Sequence, residues 1–301
     1  MKTIEIVGVQ SDVGASKRGV SMGPAAIRYA DLNKGLSLIG YKVKDKGDIQ
    51  PPPQGESRPN LNNYDQVVCT NRRLFESVTD TLSKSYFPLI LGGDHSIAAG
   101  SISAVSRYYK KIGVIWIDAH GDWNNEHSTL TGNMHGMPFS AACGYGPDEM
   151  AFFSNDCIPV DPRKCVLIGG RDFDPPEYRR MKEAGVTILS INWIDRYGIA
   201  EAVSQAMGIA GKDTEGIHVS YDIDALDPSS APGTGTTVQR GLTTREAFVI
   251  AEMLHESEKI LALDMVEVNP ILDIRNQTGI LAAELILSCL GKRIEAIDIK
   301  N

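Results

Sequence analysis

The sequence predicts an α/β fold: a single three-layer domain whose central parallel sheet of roughly eight strands is flanked by helices. Three observations carry this reading. Short apolar runs rich in Val and Ile alternate with longer helix-like stretches from one end of the chain to the other. These runs are continuously apolar, as in strands covered on both faces, and do not alternate as half-exposed strands do. No internal repeat or linker divides the 301 residues, so one domain over residues 1–301 is expected.

In chain order, strands are expected at residues 3–9, within an apolar opening that starts at Met1, and at 41–43, 88–91, 112–117, 165–168, 186–189, 217–221 and 261–266. Helices are expected at 24–38, 66–83, 98–109, 199–207, 244–256 and 279–290. Pro24 suits a first helical turn, where its missing N–H needs no partner. Residues 50–63, with Pro51, Pro52, Pro53, Gly55 and Pro59, read as a surface excursion, because the alternation of strand and helix resumes on either side.

Hydrophobic content of 42% and charged content of 23% suit a globular enzyme. The net charge of -8 argues against a nucleic-acid surface. The densest basic groups, Lys110 with Lys111 and Arg179 and Arg180 with Lys182, read as solvated faces. No apolar run approaches the roughly 18 residues of a membrane span, and the opening residues lack the regions of a signal peptide. Five cysteines without a CxxC pair suggest neither a disulfide framework nor a zinc knuckle. A cytoplasmic protein with no membrane or nucleic-acid partner is expected.

In open parallel sheets ligands sit beyond the carboxyl ends of the strands, so the polar residues that follow the apolar runs are the place to look. After Ile117 comes Asp118-Ala119-His120-Gly121-Asp122. If that backbone stays extended, its three ligand-type side chains point to one side. After Tyr221 comes Asp222-Ile223-Asp224, and a third strand ends in Gly92-Gly93-Asp94-His95. A lone His at a strand end is usually structural, and a lone Asp-x-Asp is commonly a turn or a cap. Together, however, four carboxylates at one sheet edge would repel one another strongly unless cations sat between them. Two divalent cations would balance the four charges. Oxygen donors with two imidazoles make a harder site than the Cys and His sets of zinc, which favours Mn2+, while ligand type leaves Zn2+, Fe2+ and Co2+ open.

These motifs, in this order, resemble the ureohydrolase family, the group of arginases, agmatinases, guanidinobutyrases and formiminoglutamases. The resemblance runs from Arg18-Gly19-Val20-Ser21-Met22-Gly23-Pro24 to Glu267-Val268-Asn269-Pro270. It implies two Mn2+ per subunit, one held by His95, Asp118, Asp122 and Asp222 and the other by Asp118, His120, Asp222 and Asp224. It also implies an eight-stranded α/β fold and a homo-oligomer, trimer or hexamer.

The segment after the second aspartate, Asp122-Trp123-Asn124 and then Thr131-Gly132-Asn133-Met134-His135-Gly136, looks like the arginase branch. There, residues matching Asn124, Thr131 and Asn133 bind the α-carboxylate of an amino acid, a role that amide and hydroxyl donors can fill. Asp174, in Asp174-Pro175-Pro176-Glu177, would take the α-ammonium, with Glu177 supporting. His135 would carry protons, Glu267 would pair with the guanidinium, and Thr236 would line the pocket.

The implied reaction is cleavage of L-arginine to L-ornithine and urea by a metal-bridging hydroxide, with Asp122 receiving a proton and His135 delivering one. Another ureohydrolase, acting on agmatine or a guanidino acid, is the nearest alternative, and a non-catalytic metal-binding homologue is a second. A dinuclear phosphoesterase lacks support, since no phosphate cradle accompanies the ligands. Thr131 stands where the branch has serine, Trp123 where it is aliphatic, and Thr237 and Arg240 where proline and glycine are usual, so substrate affinity is where differences are expected.

Overall fold

The computed structural model describes residues 2–293, so Met1 and the last residues of the expected domain, 294–301, lie outside the described residues. Its strands are β1 (Thr3–Val9), β2 (Lys42–Ile49), β3 (Phe87–Leu91), β4 (Ile112–Ile117), β5 (Cys165–Ile168), β6 (Thr187–Leu189), β7 (Gly216–Asp222) and β8 (Ile260–Val266). They form one sheet in the order β2-β1-β3-β8-β7-β4-β5-β6, and every neighbouring pair is parallel.

The helices are α1 (Gly23–Tyr29), α2 (Leu32–Leu38), α3 (Tyr64–Ser83), α4 (Ala98–Tyr109), α5 (Pro138–Ala142), α6 (Asp148–Ala151), α7 (Pro175–Ala184), α8 (Ile191–Tyr197), α9 (Ile199–Ala210), α10 (Thr244–Glu256) and α11 (Gln277–Cys289). They cover both faces of the sheet, and the alternation of side chains along each strand shows the three layers. Ile115 and Ile117 of β4 join a core with α1, α2, α9, α10 and α11. Val114 and Trp116 of the same strand join the opposite core, with α3, α4 and α5. Among the described residues no helix is long and apolar enough to cross a membrane.

The central strands fall where continuous apolar runs predict them, and the edges differ. β2 is longer than the expected 41–43, because an exposed edge strand carries Lys and Asp in place of the apolar signal. The expected helix 24–38 is two helices, since Asp31 takes a left-handed conformation (φ 58°) between them. Helices α5 to α8 have no counterpart in the expected set: α5, α6 and α8 are too short to show a helical period, and α7 is mostly charged and buries only Glu177 and Met181. Residues 50–63 contain no helix or strand beyond one isolated bridge between Arg58 and Leu61.

Arg240, which stands where glycine is usual, has φ 63° and an exposed side chain. Its backbone N–H and that of Gly241 both donate to Asp227 Oδ2, at 2.8 and 3.2 Å, which holds the turn in place. A non-glycine residue held there costs about 1–3 kcal/mol, of which glycine's greater freedom in the unfolded chain cancels about 0.4–1 kcal/mol. Arg240→Gly should therefore raise stability by about 1 kcal/mol, read as a higher urea midpoint at unchanged slope. A midpoint at or below that of the parent would contradict this.

Candidate metal centre and pocket

The strands β3, β8, β7 and β4 are consecutive neighbours in the sheet. The residues that follow them therefore meet at one edge. His95 follows β3, Asp118, His120 and Asp122 follow β4, Asp222 ends β7 with Asp224 just beyond, and Glu267 follows β8. Asp118, Asp222, Asp224, His95 and Glu267 are almost completely buried.

The geometry brings all six expected metal ligands together. His95 Nδ1 lies 3.1 Å from Asp118 Oδ2, 3.2 Å from Asp122 Oδ2 and 3.1 Å from Asp222 Oδ2. His120 Nδ1 lies 3.3 Å from Asp118 Oδ1 and 3.1 Å from Asp224 Oδ2. Two overlapping groups, His95 with Asp118 and Asp122, and Asp118 with His120 and Asp224, each offer ligand atoms within 4.8 Å of one another.

The convergence is not reached by the extended backbone expected for residues 118–122. The chain turns, with the His120 N–H donating to Asp118 Oδ1 (2.7 Å) and Asp122 at φ 47°. Asp222 similarly caps the turn that carries Asp224, accepting that residue's N–H at 2.7 Å. Tight turns thus fold each ligand back over its strand end, and the left-handed Asp122 and Glu267 (φ 64°) are strained positions of the kind that cluster at functional sites.

Supporting contacts missed in the sequence lie two residues before the ligands on the same strand face. Trp116 donates from Nε1 to Asp118 Oδ2 at 2.8 Å and stacks on His95, ring centroids 4.1 Å apart. Ser220 Oγ lies 2.9 Å from His95 Nε2, which leaves Nδ1 facing the carboxylates. Stepping back by the strand period from each ligand would have found both.

Without a cation the four carboxylates depend on protons for their charge balance. Burial pushes Asp222 well above the ordinary carboxylate range, and the charges of Asp224 and Asp118 add to it. Burial and the Asp118 charge likewise raise Asp122 to about 6. Burial would raise Asp118 too, but hydrogen bonds from His120 and His95 outweigh it and hold that carboxyl well below its usual range. Burial disfavours a charged His95 and His120, yet the facing carboxylates lift both far above the ordinary imidazole range. Protons are therefore drawn to places where divalent cations would serve better. The donor set fits such ions.

A cavity of about 320 Å³ opens over this centre. His120, Asp122 and Asp222 form its floor, and Thr236 lines it while donating to Asp224 Oδ2 at 2.9 Å. Asn124, Thr131 and Asn133 line the wall expected to hold a carboxylate, and Asp174 and Glu177 line the wall beside it. Asn124 Nδ2 donates to Asp174 Oδ2 at 3.0 Å, so the two walls touch. Glu177 is held by the N–H groups of Trp123 (2.8 Å) and Asp174 (3.2 Å). Burial raises its carboxyl to about 8, those two bonds opposing. It shapes the wall by anchoring both segments, and Asp174, which caps α7 and accepts from Asn124, is the second carboxylate of that wall.

His135 lines the cavity and Glu267 lies behind it, with Glu267 Oε1 accepting the His95 N–H at 2.8 Å and sitting 3.1 Å from His135 Nδ1. Trp123 faces away, into the core beside Phe139, so its departure from an aliphatic residue does not reach the pocket. Thr131 is exposed at the mouth, and its Oγ1 accepts the Asn133 N–H at 3.2 Å.

Residues 2–291 match the model of the family described as Arginase family. The chain belongs to the arginase family. Among curated relatives, the arginase of Bacillus subtilis is 40% identical across 97% of this chain and 99% of its own length, and that of Bacillus caldovelox is 41% identical across 98% and 100%. The native structure of the Bacillus caldovelox arginase superposes with a TM-score of 0.93 over 98% of this chain and 100% of its own. The Entamoeba histolytica arginase, solved in complex with L-ornithine, is 27% identical and superposes at 0.88 over 97% and 99%.

In this arginase-family chain the His135–Glu267 pair has a measurable signature. Burial alone would lower the His135 pKa, but Glu267 outweighs it and raises the imidazole to about 9. The pair then stabilises the metal-free fold fully below about pH 6.5, the unfolded histidine value, and that contribution fades as pH rises through about 9. NMR titration of His135 in metal-free protein should give a midpoint near 9, falling to about 6.5 or below in Glu267→Gln. An unchanged midpoint in the variant would contradict the pairing.

Proposed function

We propose that this chain is a manganese-dependent arginase that hydrolyses L-arginine to L-ornithine and urea. The observation that carries this is the junction of a cluster of four carboxylates and two imidazoles with a cavity lined by Asn124, Thr131 and Asn133 and by Asp174. Family membership supports the hydrolase activity, and the L-ornithine bound by the Entamoeba histolytica relative supports the amino-acid product.

One ion would be held by His95, Asp118, Asp122 and Asp222 and a second by Asp118, His120, Asp222 and Asp224. Asp118 and Asp222 would be shared. Mn2+ is favoured by the excess of carboxylate over imidazole donors. When bound, the pair supplies an acidified water and a Lewis acid facing an electrophilic carbon. Trp116 and Ser220 orient Asp118 and His95 for that purpose, and Thr236 orients Asp224.

The chain's own residues position the substrate and manage protons. Asp174 takes the α-ammonium, and Asn124, Thr131 and Asn133 take the α-carboxylate. Glu267 would pair with the guanidinium, in line with the family resemblance, and its Oε1 holds His135 at Nδ1. His135, whose imidazole Glu267 holds above its ordinary range in the metal-free protein, gives its proton to the departing amine, while Asp122 accepts one from the water. The same reading includes a homo-oligomer, trimer or hexamer, in line with the family resemblance, and a cytoplasmic location, in line with five free cysteines.

Mn2+-loaded protein should release urea from L-arginine and far less from agmatine or 4-guanidinobutyrate, and a chelated sample should release none. Preference for either other compound would keep the metal centre and overturn the substrate. Asn133→Ala should raise KM for L-arginine about tenfold, the loss of roughly one charge-assisted hydrogen bond, while bound manganese stays at the parental level by elemental analysis. Loss of metal with unchanged KM would place Asn133 in the wrong role.

A further inference from the structure

We infer that Arg171 is a positioning residue that ties the loops carrying the metal ligands into one frame, an inference that rests on the metal centre proposed above. Its guanidinium donates to six backbone carbonyls. Nη2 reaches Asp224 O (2.9 Å), Leu226 O (3.3 Å) and Val238 O (2.8 Å). Nη1 reaches Ala225 O (3.0 Å) and Gly169 O (3.3 Å), and Nε reaches Gln239 O (3.3 Å). No carboxylate pairs with it among the described residues.

Three segments are joined by these bonds. Residues 224–226 carry the ligand Asp224. Residues 238–239 follow Thr236, whose hydroxyl holds the Asp224 carboxylate. The third segment is reached through the main chain. The N–H groups of Arg171 and Asp172 both donate to Ala119 O, at 2.8 and 3.0 Å, between the ligands Asp118 and His120. One residue therefore sets the spacing between the turn after β4 and the turn after β7.

The slot is built for this side chain. A Cβ on Gly241 would lie 2.6 Å from Arg171 Nη2 and 2.5 Å from the backbone of Leu226 and Asp227, so a larger residue there would push the guanidinium out. A planar fork of five donors, fixed in direction, spans these six carbonyls, whereas the three donors of a lysine ammonium diverge from a single nitrogen and are too few and too close together to do so.

Charge and position make opposite predictions here. A guanidinium in the field of Asp118, Asp222 and Asp224 opposes binding of cations, so if charge were its role, removing it would tighten metal binding. If position is its role, losing the fork loosens metal binding even when charge is kept.

The test compares wild type, Arg171→Lys and Arg171→Met by equilibrium dialysis of metal-free protein against Mn2+, with hydrogen exchange of the same samples. Wild type should take up two ions. Both variants should fold, hold one ion within about threefold of wild type and lose about tenfold or more for the other, the usual range for a supporting contact of a metal ligand. Hydrogen exchange should quicken at residues 224–226 and 236–241 in both. Arg171→Lys binding like wild type while Arg171→Met binds more tightly would overturn the inference in favour of charge, and unchanged binding and exchange in both would overturn it outright. If Arg171→Met does not fold, Arg171→Lys decides alone, and unfolding of both would make the residue a general scaffold element and overturn the inference. Wild type taking up no Mn2+ would sink the metal centre itself, while loop exchange in the metal-free variants would still decide the clamp.

Discussion

Mutual repulsion among four buried carboxylates is the constraint on which the rest of this structure depends. Asp118, Asp122 and Asp222 converge on His95, and Asp118 and Asp224 on His120, and bringing such charges out of water together opposes folding unless positive charge lies between them. The fold accepts that cost where four adjacent strands, β3, β8, β7 and β4, end together, so the energy of the surrounding apolar layers holds the carboxylates in position. His95 and His120 offset part of the repulsion when protonated. A pair of divalent cations would offset it all and release those protons.

The same economy of placement explains the pocket. Glu177 anchors the main chain of Trp123 and Asp174 and so sets the wall between the carboxylate cluster and the proposed amino-acid end. Glu267 links the His95 backbone to the His135 ring, which couples the proposed proton carrier to the proposed metal ligands through one carboxylate. Arg171 performs the corresponding service for the turns on the other side. Chemistry at the strand ends is thereby fixed by groups that need not touch the substrate.

Much of this was legible in the sequence, for physical reasons that also explain what was not. Residues 112–117 and 165–168 read as strands because both faces of a central strand are apolar, whereas β2, an exposed edge rich in Lys and Asp, showed only its first residues. The ligands were visible because aspartates and histidines recurred after several apolar runs, a coincidence that structural roles for single residues do not produce. Their geometry was not visible: an extended Asp118 to Asp122 would place three side chains on one side, but the chain reaches the same end by a turn through a left-handed Asp122. Nor was the helix break at Asp31, because an aspartate in a left-handed conformation carries no distinct periodic signal. Arg171 was passed over because a guanidinium bonded to carbonyls leaves no partner residue to notice in the sequence.

The most direct test of the account is anomalous diffraction at the manganese edge from crystals grown with Mn2+. Two peaks should appear, one beside His95 Nδ1 and one beside His120 Nδ1, both in contact with Asp118 and Asp222. A single peak, or manganese bound elsewhere with the carboxylate cluster left to protons, would contradict the claim that paired cations relieve the repulsion around which this site is built.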